Sequence, residues 1–278
     1  MAITRGIKHR IRGVYSTQKI TRAMNLVAAS KLQRTRNKLQ NLRPFMEETL
    51  RVAYDMAARV TDRESVYIKA RPVKNTAIIV ISADRGLCGG YNVNVSKAAS
   101  ALISQNTREH LITAGTKARD YFRRRNRNII RTYQGVSEMP FYEDATDIGL
   151  LAVDLYESGE VDEIYLVYTE FKSIISHTPK TLRLLPLPDS PENSGYMDFE
   201  PNEEAFLAYT VPKYVSAVIY GAMVESSACE LGARMSSMDS ATNNSTELIN
   251  RFTLQYNRAR QDAITQELTE IVGGAEAL

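Results

Sequence analysis

The nine prolines of this 278-residue chain all lie between Pro44 and Pro212. Proline lacks a backbone donor and clashes with the preceding helical turn, so it is the residue that most reliably breaks a helix. The first 43 and the last 66 residues are free of it and can form helices far longer than the average of about 11 residues. Helices of that length need a partner that covers their apolar face. The sequence therefore predicts that the two ends pair as an antiparallel coiled coil beside a folded middle.

Both ends carry the apolar spacing that such pairing requires. In the first arm the rhythm is imperfect up to Leu32 and becomes a cleaner heptad pattern from Leu39 to Val60. Pro44 falls inside this pattern and is expected to kink or interrupt the helix. In the last arm a 4,3 spacing of apolar and small residues predicts one continuous stripe, made of Met238, Thr242, Ser245, Ile249, Phe252, Tyr256, Ala259 and Ala263.

Between the arms the pattern changes to alternating strands and helices, which is typical of a mainly parallel α/β sheet. Strands are predicted at 76–82, 110–113, 128–133 and 163–168, and helices at about 93–105, 116–125 and 146–158. Segments 173–176 and 181–185 are expected to form a pair at the sheet edge. We expect four regions: an N-terminal coiled-coil helix at 1–60, an α/β domain at 74–190, a connection at 191–208 and a C-terminal coiled-coil helix at 209–278.

Charge is distributed unevenly along the chain although the net charge is only +3. Residues 1–43 contain eleven Lys and Arg and no acid, and the first carboxylate is Glu47. A solvated helix face would normally carry interleaved Glu, and a nucleic-acid surface would normally carry more aromatic residues than Tyr15 alone. Among a solvated face, a nucleic-acid or lipid patch and a surface for an acidic protein, the pattern favours the acidic protein partner.

The glycine-rich loop at 84–90 is the main candidate for a ligand site, because glycines after a strand allow backbone N–H groups to bind phosphate. It contains neither the GxxxxGK[ST] string of a P-loop nor the GxGxxG string of a dinucleotide site. A structural tight turn with Cys88 buried is the favoured interpretation. The acidic pairs lie next to each other in sequence, and no nucleophile–base grouping can be assembled, so the chain is not expected to be an enzyme by itself.

Cysteine and histidine give little support to other chemistry. Cys88 and Cys229 are too few for a disulfide framework and are expected to be reduced. The three histidines lack metal-binding spacing, so neither a metal nor a cofactor is expected. No apolar run is long enough to span a bilayer, and the first arm is interpreted as mature structure rather than a targeting peptide.

The C-terminal segment is more specific. Arg260, Gln261, Thr265 and Glu267 concentrate polar groups on a helix tip, and Gly273-Gly274 is expected to end that helix. Such groups suit hydrogen bonds to another molecule, and a solvated helix end is the alternative.

These residues also complete a family pattern. The segment from Ile264 to Ala277, with Thr265, Glu267, Glu270 and Gly274, resembles the signature of the gamma subunit of F-type ATP synthases. The segments 18–31, 84–90 and 233–238 are similar to the family's other motifs and occur in the same order. The resemblance covers nearly the whole chain.

The resemblance implies a non-catalytic central rotor stalk that couples proton or sodium flow through a membrane ring to ATP synthesis or hydrolysis at the beta subunits. Its implied fold is the coiled coil plus a Rossmann-like domain. The implied partners are three alpha and three beta subunits, an epsilon subunit and the membrane c-ring, at the cytoplasmic face of a bacterial plasma membrane. No nucleic acid and no transmembrane segment of its own are implied.

Partner-binding positions also follow from the resemblance, residue by residue. Lys19, Met24 and Arg234 would lie near acidic lever loops of the beta subunits. The four residues of the helix tip would contact a beta subunit, and Phe199 and Glu200 fall in the foot segment that would reach the ring. Two rivals remain open: a free-standing nucleotide-binding α/β enzyme dimerised by its arms, and a coiled-coil scaffold or nucleic-acid-binding rod.

Overall fold

The computed structural model describes residues 2–61, 64–103, 107–173, 177–187, 199–200 and 202–276. Two very long helices, α1 (Ala2–Arg59) and α5 (Glu203–Glu276), stand at the two ends of the chain. Between them lie β1 (Asn75–Ile81), α2 (Tyr91–Ala101), β2 (Arg108–Ala114), α3 (Thr116–Arg123), β3 (Ile129–Tyr133), α4 (Tyr142–Glu157), β4 (Glu163–Phe171) and β5 (His177–Leu185). The predicted α/β class with long terminal helices is confirmed.

The strands form one five-stranded sheet in the order β3-β2-β1-β4-β5. The first four are parallel, and β5 runs antiparallel to β4 at the edge. The mainly parallel sheet is therefore confirmed. The expected edge pair is wrong in its partner: segment 181–185 belongs to β5, which pairs with β4, since β5 continues the register that begins at Phe171↔His177. Residues 174–176 of that prediction lie outside the described residues.

Contacts group the chain into two compact units, one of Met1–Ala29 with Met235–Leu278 and one of Ser30–Arg234. In the larger unit, alternate residues of β1 point to opposite faces of the sheet, as the pleat requires. Ala77, Ile79 and Ile81 join a core with α4 and the unit's portions of α1 and α5, while Ile78 and Val80 join a second core with α2 and α3. Every one of these five side chains is buried, which explains the continuous apolar run of this central strand.

Prolines do not end either long helix. α1 continues through Pro44, contrary to the expected interruption, and α5 contains Pro212. The loss of one backbone hydrogen bond is offset on both sides of Pro44 by packing, because Leu39 and Ala53 are buried. α5 begins at Glu203 rather than near 209, since the Asn202 side chain accepts a hydrogen bond from Ala205 N at 2.9 Å and caps the first turn.

The C-terminal end of α5 also differs from expectation. The helix passes through Gly273 and Gly274 and reaches Glu276, and neither glycine has a positive φ. A glycine ends a helix only where it adopts the left-handed conformation, and here both remain helical at a cost of about 1 kcal/mol each relative to alanine. Of the predicted connection at 191–208, residues 191–198 and 201 lie outside the described residues. Phe199, Glu200 and Asn202 precede α5, and 203–208 belong to it.

Candidate functional site

In the smaller unit the two ends of the chain lie side by side. Gln18 Nε2 donates to Thr246 Oγ1 at 2.7 Å, the Thr21 and Thr242 hydroxyls are 2.8 Å apart, and Asn25 Nδ2 donates to Met235 O at 2.9 Å. As the residue numbers rise along α1, the numbers of the α5 residues that they contact fall. This part of the two helices is therefore an antiparallel pair.

The seam of this pair is partly polar. Thr21, Ala28, Met238 and Ser245 are buried, while Thr242 is half-buried. Small side chains let two helices approach closely, and their hydroxyls satisfy each other or the i−4 carbonyl of their own helix. A pair held by threonine hydroxyls fixes the register more strictly than a uniform leucine seam would, since a shift leaves a polar group unpaired.

The tip of α5 presents polar groups outward. Arg260, Gln261, Thr265 and Glu267 are all exposed, and Ile264, Leu268, Ile271 and Val272 are exposed beside them. Exposed apolar residues of this kind on a helix end are typical of an interaction surface.

In the larger unit the glycine-rich loop is held by the carboxylate of Asp84. Its Oδ1 accepts from the backbone N–H and hydroxyl of Thr116 at 3.0 and 2.8 Å, and its Oδ2 accepts from Gly135 N and the Ser137 hydroxyl at 3.0 and 2.9 Å. Burial alone would raise the pKa of Asp84, but the hydrogen bonds from Thr116, Ser137 and Gly135 outweigh it and lower the pKa. This carboxylate occupies the N-terminus of α3, where a phosphate would bind in a nucleotide site.

A second contact holds the same loop to α5. Arg234 Nη2 lies 3.3 Å from Gly86 O and 2.6 Å from Glu230 Oε1. Both side chains are buried, with 8% and 1% of their surfaces exposed. Desolvation raises the pKa of Glu230, and the attraction of Arg234 opposes that rise. The guanidinium therefore stabilises the loop and a buried carboxylate within the chain.

The segment after β3 contributes a third attachment. Glu138 accepts from Lys31 Nζ at 2.8 Å and lies 3.4 Å from Arg85 Nη1, while its backbone carbonyl accepts from the Ser227 hydroxyl. The Lys31 hydrogen bond holds the pKa of Glu138 below its usual range. The loop is thus fixed from α1, α5 and the β3–α4 connection. It still presents Leu87, at φ 63° and 63% exposed, to the outside.

Residues 4–278 match the family model described as ATP synthase. The chain is 45% identical to the ATP synthase gamma chain of Alkaliphilus metalliredigens over 98% of this chain and 97% of the relative. It is 40% identical to the sodium ion specific gamma chain of Acetobacterium woodii, with the same coverage. The chain belongs to the ATP synthase gamma-chain family.

Solved structures agree with the gamma-chain fold. The central stalk of the Tetrahymena thermophila mitochondrial ATP synthase matches with a TM-score of 0.63 at 25% identity, covering 80% of this chain and 99% of that one. A Euglena gracilis mitochondrial ATP synthase chain matches with a TM-score of 0.75 at 19% identity, covering 99% and 94%. As a gamma-type subunit the chain is a non-catalytic stalk component, which replaces both rival interpretations, the free-standing enzyme and the scaffold.

The positions expected to bind partners differ in their surroundings. Lys19 is exposed, with its Nζ 4.9 Å from the centroid of the Tyr15 ring, and Met24 is half-buried. Arg234 is buried and contacts Glu230 and the 84–90 loop. Glu200 is exposed, whereas Phe199 packs edge-on against Phe206 at 5.3 Å between ring centroids.

Several structural anchors were not predicted from the sequence. The spacing of Glu230 and Arg234 is a readable i,i+4 signal, but Glu138 reaches Lys31 across more than 100 residues and has no local signature. Cys88 and Cys229 are free, and Cys88 is buried, as expected; Cys229 is buried as well. Among the described residues no group of His, Cys, Asp or Glu could hold a metal ion, and no helix is long and apolar enough to cross a membrane.

Proposed function

We propose that this gamma-type subunit is the rotary shaft of a bacterial ATP synthase and couples proton or sodium flow through a membrane ring to catalysis on three beta subunits. The antiparallel pairing of the chain's two ends, fixed by threonine and amide contacts, is the observation that carries this function. A helix pair whose register is fixed by paired polar groups resists sliding, as the transmission of torque requires. The place where the α/β domain would bind a phosphate, the N-terminus of α3, is taken by the Asp84 carboxylate. Chemistry stays on the beta subunits, and this chain transmits work.

The partners follow from this role. Three alpha and three beta subunits would surround the helix pair, and an epsilon subunit and the membrane c-ring would contact the foot. The complex would lie at the cytoplasmic face of the plasma membrane, with this chain as a peripheral component. The relatives support such a complex, since one is a sodium ion specific gamma chain and one structural match is a central stalk described together with a c-ring.

Asymmetry explains how one shaft can drive three equivalent sites. A rod that presents different side chains in different directions contacts each surrounding subunit differently and stabilises a different conformation in each. A contact that favours one conformation by about 1.4 kcal/mol shifts its population tenfold, so a few side chains are enough to set large differences in nucleotide affinity. Because coupling is reciprocal, torque applied at the foot changes affinity at the catalytic sites.

We assign specific contacts to the positions that the family resemblance indicates. Lys19, Met24 and the basic first arm would face acidic lever loops of the beta subunits, with an attraction that weakens as salt rises. The exposed tip residues Arg260, Gln261, Thr265 and Glu267 would hydrogen-bond with a beta subunit. We refer to the surrounding alpha and beta subunits as the collar. Arg234 would position the 84–90 loop against this collar, and Phe199 and Glu200 would lie near the ring.

Purification of the tagged full chain from its native membrane tests the function. The chain should co-elute with large nucleotide-binding subunits, and it should show no ATP turnover when isolated. Truncation from Ile264 should weaken assembly of the complex or the coupling of ion transport to hydrolysis. An Ala2→Ser variant, changed near the other end of the chain, is purified in parallel as a control. Tight nucleotide binding by the isolated chain, or unchanged assembly and coupling after truncation, would contradict the proposal.

A further inference from the structure

Five arginines crowd one corner of the α/β domain. They are Arg108 at the start of β2 and Arg123, Arg124, Arg125 and Arg127 around the end of α3, and all are exposed. We refer to these five residues as the cationic corner. Among the described residues, Glu109 contacts this corner through its Oε1, which lies 3.3 Å from Arg127 Nη1. The corner is strongly positive, and the proposed function does not use it.

Its side chains are partly ordered in advance. Arg125 stacks on Tyr121, with the guanidinium carbon 3.6 Å from the ring centroid, and donates to Tyr121 O at 3.0 Å. By contrast, the side chains of Arg108, Arg123 and Arg124 have no hydrogen bond or ion pair within the described part of the chain. One or two cations at a helix carboxyl terminus are favoured by the helix dipole, but three unpaired ones repel each other unless an external anion is present.

The cationic corner lies at one defined edge of the sheet, and this position bears on which anion it could meet. α3 ends and β2 and β3 begin there, so the corner lies at the amino edge of the parallel sheet. The opposite, carboxyl edge bears the 84–90 loop that contacts Arg234.

α4 shows where the amino edge lies along α5. The Tyr142 ring packs against Tyr220 at 5.6 Å between centroids, and Gly149, further along α4, packs against Ser216. As α4 runs from the carboxyl edge of the sheet towards the amino edge, it therefore contacts residues of α5 with progressively lower numbers. The amino edge lies beside the first turns of α5, at the end remote from Arg234.

We propose that the cationic corner binds the phosphate headgroups of anionic membrane lipids. This inference rests on the proposed function, in which α5 runs from the membrane side towards the collar, so that the amino edge of the sheet faces the bilayer. Guanidinium groups match phosphate oxygens in geometry as well as in charge. Clusters of four or more basic residues beside a membrane are typical of binding to anionic lipid.

The test uses the soluble collar complex that contains this chain, so that the basic first arm is enclosed. Flotation with phosphatidylcholine vesicles, with and without phosphatidylglycerol, measures the partition coefficient. The variant R108Q/R123Q/R124Q removes three cations that have no partner among the residues that the structure describes. The control K97Q/K172Q/K180Q removes the same formal charge from exposed positions in the same domain, two of them at or next to the opposite edge strand β5. Lys172 and Lys180 pair with Glu170, so this control also leaves that carboxylate without its two cations.

The wild-type complex should bind only the anionic vesicles, and less tightly as salt rises. Each cation removed should weaken binding roughly fivefold, so the corner variant should lose about a hundredfold and the control much less. Equal losses in the two variants, or no binding by the wild type, would overturn the inference. A corner variant that binds vesicles normally but no longer retains the membrane ring would overturn it in favour of an acidic protein loop.

Failure of lipid binding can be distinguished from failure of the proposed stalk function. Co-elution with the alpha and beta subunits and ATP hydrolysis by the complex report the stalk role, and both should be unchanged in the corner variant. If the wild-type chain failed to join the collar at all, the stalk role would be refuted before any vesicle was added.

Discussion

Replacing Arg234 by methionine should destabilise the chain strongly, because it leaves the carboxylate of Glu230 buried without its cation. Glu230 has 1% of its side chain exposed, and its guanidinium partner is 2.6 Å away. Removing one member of a buried ion pair costs about 3–5 kcal/mol, since the remaining charge is neither hydrated nor paired. The free energy of unfolding of the full chain, from urea denaturation followed by circular dichroism, should fall by that amount near pH 8.

The loss of stability caused by R234M should depend on pH in a definite direction. Burial already raises the pKa of Glu230 in the folded state, so the folded chain holds this proton more tightly than the unfolded chain. Stability contributed by such a group is present at low pH and is lost as pH rises above the ordinary value of 4.5. Without Arg234 the folded pKa rises further, so R234M should cost less at pH 5 than at pH 8.

Two matched variants separate the pair from general effects. The double variant E230Q/R234M removes both charges and should recover most of the loss, since a neutral amide is much cheaper to bury than a carboxylate. Arg51→Met breaks an exposed i,i+3 pair with Glu48 and should change stability negligibly. A cost below about 1 kcal/mol for R234M at pH 8, or the same cost in the E230Q background, would refute the buried-pair reasoning.

Three further substitutions test other parts of the structure. Gly149→Ala should lower the free energy of unfolding, measured by urea denaturation, by about 1–3 kcal/mol because the added Cβ would lie 2.7 Å from Ser216 Oγ and 3.2 Å from Ser216 Cα. The control Gly13→Ala has open space around it and should be neutral or stabilise the chain by up to about 1 kcal/mol. Equal effects of the two substitutions would contradict the close approach of α4 and α5. Burial raises the pKa of Glu225, so this residue contributes to a loss of stability as pH rises. E225Q should therefore reduce the fall in melting temperature between pH 5 and pH 8, and an unchanged fall would count against a raised pKa of Glu225. Asp84→Ala should lower the free energy of unfolding by about 1–3 kcal/mol because the donors of Thr116, Gly135 and Ser137 lose their acceptor. Native-state hydrogen exchange should then rise first in the 84–90 loop, and exchange that rises equally everywhere would argue against a local role.

The fold was predictable to the extent that it is written in local patterns. The apolar run of β1 and the strand-helix alternation predicted the parallel sheet, and the absence of proline predicted the two long helices. The same reasoning placed breaks at Pro44 and Gly273-Gly274, where none occurs, because tertiary packing and helix continuity outweigh a single unfavourable residue. Local propensity is a weak guide wherever neighbouring turns are already fixed.

The site was less predictable because its contacts are long-range. Asp84 was noted as a loop residue, but its donors come from Thr116, Gly135 and Ser137 on other elements. The family resemblance placed Arg234 near a partner, whereas the structure engages it with Glu230 and the loop. Sequence motifs identify which residues matter, and only the packing shows whether a side chain acts directly or through a neighbour.

Rotation of this chain relative to its surrounding subunits is the central claim, and single-molecule observation tests it most directly. Cys88 and Cys229 are buried, so a cysteine introduced at exposed Lys97 accepts a fluorescent or bead label selectively. With the collar immobilised and ATP added, the label should turn in one direction with three pauses in each revolution. A label that stays fixed while the complex hydrolyses ATP would contradict the account.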